Sequence, residues 1–213
     1  MISILIPTKD EPLIQDLVNK INNVLKEKHE IIIIDKSSVT PKVRNAKIIK
    51  QKSDGLGNAI LEGLKDSKGD IIITMDGDGS HRPEDLHKLI EKTNEFDIVI
   101  GSKYIKGGKT EDKAYRILIS KIYCSFASLV LGLNIKDNMS GFAAIRRDVY
   151  NKISLRPKGF KINTEILYKA KKFGFKCTEV PIIFPKRKKG KSKGNIKQGL
   201  RTIKFILELR LGR

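Results

Sequence analysis

Short β-branched runs alternating with amphipathic helical patterns set the tightest limit on how this chain can fold. Residues 2–6, 30–35, 46–49, 70–75 and 97–100 read as strands. Between them Leu13, Leu17, Ile21 and Leu25 recur every fourth residue, and Ile60 with Leu64 and Leu86 with Ile90 mark two more helices with one apolar face. Parallel neighbours need such crossover helices, so the alternation predicts an α/β fold with a mostly parallel central sheet flanked by helices. Ligands of open α/β sheets bind outside the carboxyl ends of the strands. Those ends are therefore where functional residues are sought.

The strand ends carry Pro-Thr-Lys-Asp-Glu at 7–11, Asp35 after four isoleucines, Asp-Gly-Leu-Gly at 54–57, and Asp-Gly-Asp-Gly-Ser-His at 76–81. Asp35 alone could be a solvated turn residue. Asp76 and Asp78 carry more information, because Gly77 and Gly79 between them let the backbone turn sharply and a bulky ligand approach. Two carboxylates held close together repel unless a cation or ribose hydroxyls satisfy them. Oxygen-only ligation suits Mg²⁺ or Mn²⁺, which leave positions open for a diphosphate. A calcium loop would need glycine where His81 stands.

The charge is unevenly spread. Of 43 Lys and Arg against 24 Asp and Glu, residues 1–100 hold 15 basic and 17 acidic side chains, residues 101–184 hold 17 and 6, and residues 185–213 hold 11 and 1. A near-neutral first half joined to a cationic second half points to an anionic partner met by the second half alone: nucleic acid, a membrane surface or a phosphorylated acceptor. The chain has no Trp and 6% aromatics, too few for a base-stacking platform, which argues against nucleic acid. Cys124 and Cys177 form neither a disulfide framework nor a zinc pattern and read as core thiols; with no leader pattern, the expected location is cytoplasmic. The apolar stretch 117–135 contains Lys121 and small residues and reads as a buried or interfacial helix, and residues 195–211 read as a basic amphipathic helix. Lys-Gly-Lys-Ser-Lys-Gly at 189–194 lacks the framing of a phosphate loop and reads as a basic loop able to close over a diphosphate.

Ordered along the chain, Ile-Pro-Thr-Lys-Asp-Glu at 6–11, Gly-Leu-Gly-Asn-Ala at 55–59, Asp-Gly-Asp-Gly-Ser-His-Arg-Pro-Glu-Asp at 76–85, Gly-Ser-Lys-Tyr-Ile-Lys-Gly-Gly at 101–108, Ser-Gly-Phe at 140–142 and the basic segment 180–193 resemble the inverting nucleotide-sugar glycosyltransferases of family 2, and among these the dolichyl-phosphate mannose synthases. The resemblance implies a GT-A type nucleotide-sugar-binding fold over residues 1–194, with a nucleotide half (1–100) and an acceptor half (101–194). Residues 195–213 would follow as a helix, with no transmembrane domain. It implies transfer of a sugar, mannose from GDP-mannose, onto dolichyl or another polyprenyl phosphate. UDP-glucose or UDP-GlcNAc as donor and a saccharide as acceptor are the alternatives, and a basic nucleic-acid-binding protein is the reading from another class.

By position, the resemblance implies that Pro7, Lys9, Glu11, Asp35 and Asp54 line the nucleotide pocket with Asp76 and Gly77. Asp76, Asp78 and Ser80 would hold Mg²⁺ or Mn²⁺. Lys103, Arg116, Ser120, Arg187 and Lys193 would hold the acceptor phosphate, with Lys103 and Arg187 also reaching the donor; Asp78, Arg116 and Arg187 would be the catalytic residues. The family often has Asn where this chain has Asp10, and Arg where it has Lys103, which exchanges a bidentate fork for a point charge. Glu165 is either a helix-surface carboxylate or a site residue. The membrane would be met peripherally on its cytoplasmic face, or through a membrane-anchored partner protein.

Overall fold

In the computed structural model, which describes residues 1–156, 162–185 and 196–212, the isoleucine-rich segments form the centre of a seven-stranded sheet. Its strands are β1 (Ile2–Thr8), β2 (His29–Asp35), β3 (Lys47–Lys50), β4 (Ile71–Thr74), β5 (Ile98–Ser102), β7 (Ala143–Arg146) and β8 (Cys177–Pro181), in the order β3-β2-β1-β4-β7-β5-β8. A separate parallel pair joins β6 (Lys109–Thr110) to β9 (Ile183–Phe184). β1 and β2 are apolar along nearly their whole length because both of their faces are covered, as parallel sheets require.

Alternate side chains go to opposite faces. Ile4, Ile6 and Ile33 meet Leu17, Val18 and Ile21 of α1 (Ile14–Val24) and Leu86 and Leu89 of α3 (Leu86–Lys92). Leu5, Ile32, Ile34 and Ile72 pack on the other face, in one cluster with Ile60 of α2 (Leu56–Asp66), Ile166 and Leu167 of α6 (Ile162–Lys172), and Ile206 of α7 (Ile196–Arg210). The five expected strands all form, within a residue or two of the expected ends. Among the described strands only β7 runs antiparallel, between β4 and β5. Its Ala143-Ala144-Ile145 is too short and too small to announce a strand in sequence; it continues directly into α5 (Arg147–Lys152).

The helix expected over the apolar stretch 117–135 forms as α4 (Ala114–Leu131), but it lies mostly outside the core. It contributes Cys124, Ala127 and Leu131 inward, while Tyr115, Leu118, Ile119, Ile122 and Leu129 are exposed. It is the one helix among the described residues long and apolar enough to cross a membrane. α7 packs beside it and adds exposed Leu200 and Leu207, with exposed Leu211 just after its end.

Candidate active site

The ends of β1, β2, β4 and β5 meet at one edge of the sheet. Thr8 closes β1 opposite Asp35 of β2, β4 runs on into Met75 and Asp76, and β5 into Lys103. Because β7 runs the other way, the Ser140, Gly141 and Phe142 that lead into it arrive at this same edge.

Asp35 is fully buried, which removes the reading of it as a solvated turn residue. Its Oδ1 accepts the Ser37 hydroxyl at 2.6 Å, the Ser37 N–H at 3.2 Å and the Thr8 hydroxyl at 3.3 Å. Oδ2 makes no hydrogen bond, although Lys50 Nζ stands 3.5 Å away at ion-pair distance. Asp10 sits in the left-handed region at φ 56°, a conformation that Asn and Asp tolerate best, and its N–H reaches Ser37 Oγ at 2.7 Å. That backbone requirement accounts for Asp or Asn at this place in the loop. Lys9 is exposed and Glu11 partly so, while Asp54 projects into solvent and pairs with Lys36 at 3.0 Å.

The turn after β4 is braced from two sides. Ser80, fully buried, gives Asp78 Oδ1 both its N–H at 3.0 Å and its hydroxyl at 2.5 Å. The Asp76 N–H donates to His81 Nδ1 at 2.9 Å, and His81 Nε2 lies 3.9 Å from Asp76 Oδ2. His81 is buried, stacked on Phe142 (4.9 Å between ring centroids, 15° between planes) and edge-on to Phe184 at 5.6 Å. Burial holds its imidazole below the ordinary pKa of 6.5, outweighing the upward pull of Asp76 and Asp78.

Two glycines fit the close packing around the turn. A Cβ on Gly77 would stand 2.8 Å from the Thr8 methyl, so this backbone is pressed against β1. A Cβ on Gly141 would lie 3.2 Å from Asp76 Oδ1. Glycine there keeps the approach to that carboxylate open. Among the described residues no group of three or more His, Cys, Asp or Glu is placed to hold a metal. Two carboxylates are nonetheless what a Mg²⁺-like ion takes when phosphate oxygens and water complete its shell, so the donor set fits such an ion.

In the half expected to meet the acceptor, Lys103 does not project freely. Its side chain is 13% exposed, and its ammonium pairs with buried Asp137 at 3.0 Å, over the rings of Tyr104 (4.7 Å) and Phe184 (5.1 Å). Burial pulls its pKa down, but the Asp137 charge, the nearby Tyr104 and the hydrogen bond to Asp137 together outweigh this, and the net shift is upward from 10.5. Glu179 in turn accepts the Lys136 and Asp137 N–H groups at 2.7 and 2.9 Å, fixing the loop that presents Asp137. Ser120 hydrogen-bonds the Tyr104 hydroxyl, and Lys121 Nζ lies 5.5 Å from that ring. Lys103, Tyr104, Ser120 and Lys121 are thus brought together. Arg116, one turn earlier on α4, is exposed and bonds the Tyr115 hydroxyl at 3.1 Å. Arg187 and Lys193 lie outside the described residues.

The first turn of α6 closes the site. Asn163 Nδ2 donates to the Ser140 carbonyl at 2.7 Å and Thr164 Oγ1 to the Asn138 carbonyl at 3.0 Å. Glu165 is buried, so the helix-surface reading fails; it accepts the Arg156 N–H at 3.0 Å and Lys169 Nζ at 2.5 Å. Asp137, Glu179 and His81 were not legible as site residues. Only the position of His81, directly after the aspartate pair and its serine, hinted at a role.

The sequence profile of glycosyl transferase family 2 matches residues 3–154. A dolichol-phosphate mannosyltransferase of Pyrococcus furiosus is 40% identical over 208 residues, 90% of this chain and 58% of that protein. An undecaprenyl-phosphate mannosyltransferase of Micrococcus luteus is 35% identical over 66% of this chain and 60% of its own length. A polyprenol monophosphomannose synthase of Mycolicibacterium smegmatis is 35% identical over 68% and 59%. The chain therefore spans less than two thirds of the length of each of these relatives. Among solved structures, a glucosyl-3-phosphoglycerate synthase from Mycobacterium tuberculosis, in complex with Mn²⁺, UDP-glucose and phosphoglyceric acid, superposes with a TM-score of 0.74 at 17% identity, covering 100% of this chain and 80% of that one. At that identity the likeness concerns the fold alone, and it bears out the GT-A type architecture.

Proposed function

Because the chain belongs to glycosyl transferase family 2, we propose that it moves a mannosyl group from GDP-mannose onto the phosphate of dolichol or another polyprenol, inverting the anomeric carbon. The observation that carries this reading is the match at 40% identity, across 90% of the chain, to a protein named for mannosyl transfer to dolichol phosphate. The geometry supports it: Pro7, Asp35 and the Asp76–Ser80 turn stand side by side at one sheet edge, as a nucleotide diphosphate and its cation require.

Asp76 and Asp78 would hold Mg²⁺ or Mn²⁺, which when bound supplies positive charge for the departing diphosphate. Pro7, Lys9, Glu11, Asp35 and Asp54 would border the base and ribose. Ser80, expected as a third ligand, donates its hydroxyl to Asp78 and would also act by orienting that carboxylate. A phosphate acceptor is already an anion at neutral pH, so the chain needs no strong base for it and must supply position and counter-charge instead. Arg116, Ser120 and Lys121 would meet such an acceptor, with Arg187 and Lys193 as further cations; Lys103, tied to Asp137, would shape this side of the site as well as charge it.

The exposed apolar faces of α4 and α7 favour a lipid acceptor over a saccharide. Their exposed leucines and isoleucines, with basic residues alongside, suit peripheral contact with the cytoplasmic face of a membrane or with a membrane-anchored partner protein. Nucleic acid plays no part in this reading.

The test is to incubate the purified protein with membranes, Mg²⁺ or Mn²⁺ and a panel of labelled nucleotide sugars. Label from GDP-mannose is expected in the lipid fraction, and Asp78→Ala, folded by circular dichroism, is expected to lose at least 100-fold of that transfer. Lipid labelled from UDP-glucose or UDP-GlcNAc instead would change the donor. No labelled lipid from any donor would overturn the lipid acceptor, and full activity of Asp78→Ala would overturn the metal assignment.

A further inference from the structure

We propose that His81 is a positioning residue that fixes the Asp76 carboxylate through the backbone N–H of Asp76 itself. This rests on the reading of Asp76 as a cation and diphosphate ligand given above. A backbone N–H can only donate, so His81 Nδ1, at 2.9 Å, must be the acceptor. The proton of the neutral ring is then on Nε2, the nitrogen that faces Asp76 Oδ2 at 3.9 Å. One imidazole therefore addresses the same aspartate twice, holding its main chain and presenting an N–H towards its carboxylate.

The ring cannot turn away. Phe142 stacks on it and Phe184 meets it edge-on. Both walls are anchored by independent contacts: the Phe142 carbonyl accepts the Gly101 N–H at the end of β5 at 2.8 Å, and Ile183, beside Phe184, donates its N–H to buried Asp85 at 3.1 Å. Lys88 bonds both Asp85 and the Pro181 carbonyl, tying α3 to the end of β8 just before β9. Asp78 has an analogous but separate support in Ser80. The two carboxylates of the turn are thus each oriented by one of the two consecutive residues that follow them, a support of the kind that commonly sets metal affinity.

Two substitutions separate this role from simple packing. His81→Asn places an amide oxygen where Nδ1 stood but removes the ring; His81→Phe keeps a ring between Phe142 and Phe184 but removes the acceptor. Three readouts are compared with the wild type: hydrogen exchange of the Asp76 N–H, Mn²⁺ binding to the free protein followed by electron paramagnetic resonance, and the Mn²⁺ concentration giving half-maximal transfer. In His81→Phe the Asp76 N–H is expected to lose protection and both Mn²⁺ values to rise about 10- to 100-fold. In His81→Asn protection is expected to persist, with Mn²⁺ binding within about threefold of wild type. Unchanged exchange and binding in His81→Phe, or a His81→Asn protein that folds yet is impaired as much as His81→Phe, would overturn the inference. Lost protection in His81→Phe together with no Mn²⁺ binding by the wild type would instead overturn the metal reading of Asp76, and with it the purpose assigned to His81.

Discussion

Replacing Leu118 and Ile122 of α4 by serine should detach the protein from membranes while leaving its fold and soluble chemistry intact. The two side chains stand one helical turn apart on the same face and are 61% and 57% exposed. Full burial of such a side chain is worth about 2 kcal/mol. With some six-tenths of each surface still available to a bilayer, each contributes about 1.2 kcal/mol of insertion, and the pair about 2.4 kcal/mol. At about 1.4 kcal/mol per tenfold, this is a drop of roughly 50-fold in partition onto vesicles. Stability should move by no more than about 0.5 kcal/mol per site, because neither side chain belongs to the core. Sedimentation with vesicles containing anionic lipid measures the partition, and a thermal melt checks the fold. The residual binding of the double variant should weaken with salt, since the basic residues near α4 and α7, worth about 1 kcal/mol each at an anionic surface, remain. Partition within threefold of wild type, with an unchanged melt, would refute the membrane role of this face.

Lys103→Met should destabilise the fold by about 3–5 kcal/mol in urea titrations, because it leaves the Asp137 carboxylate buried without its ion-pair partner. Since the folded-state pKa of Lys103 is raised, the pair's contribution is complete below about pH 10.5 and is lost as pH climbs through the raised value; the gap between wild type and Lys103→Met should therefore stay flat from pH 7 to 9 and narrow only in stronger alkali. Gly141→Ala should lower transfer about tenfold with little change in stability, because the added methyl must push the Asp76 carboxylate aside by a few tenths of an ångström from its 3.2 Å contact. Steady-state kinetics beside a thermal melt would show this, and wild-type kinetics would mean that the Asp76 carboxylate tolerates the shift.

The fold was legible wherever periodicity carries the physics. Four consecutive isoleucines before Asp35 can only be a strand covered on both faces, and Leu13, Leu17, Ile21 and Leu25 can only bury themselves as one helical stripe. β7 escaped because Ala143 and Ala144 bring too little side chain to make a pattern, and its antiparallel run is fixed by partners at Ile72 and Val99, far away in the sequence. α4 shows the opposite case. Its composition alone permits a core helix, an interfacial helix or a span, and only the position of the sheet behind Cys124, Ala127 and Leu131 shows that its apolar residues are mostly left uncovered.

The same division runs through the site. Asp76 and Asp78 stand out because glycine spacing and a preceding strand restrict what such a pair can do, and the structure places them at the expected edge. Residues that act through a distant partner carry no such mark. Lys103 looks like any other lysine of a cationic half until Asp137 is found 3.0 Å from its ammonium, and Glu165 looks like a helix-surface carboxylate until Lys169 and the Arg156 N–H are found on it inside the protein. The excess of positive charge in residues 101–213 therefore has two physical destinations. Some of it, at Lys103 and Lys169, neutralises the buried carboxylates of Asp137 and Glu165; another part, such as Arg116 and Lys121 of α4 and Arg201 and Lys204 of α7, stays on the surface. Counting charges cannot separate the two, because a lysine that braces the site and a lysine that greets a phosphate are the same letter, and what tells them apart is the carboxylate that folding brings alongside.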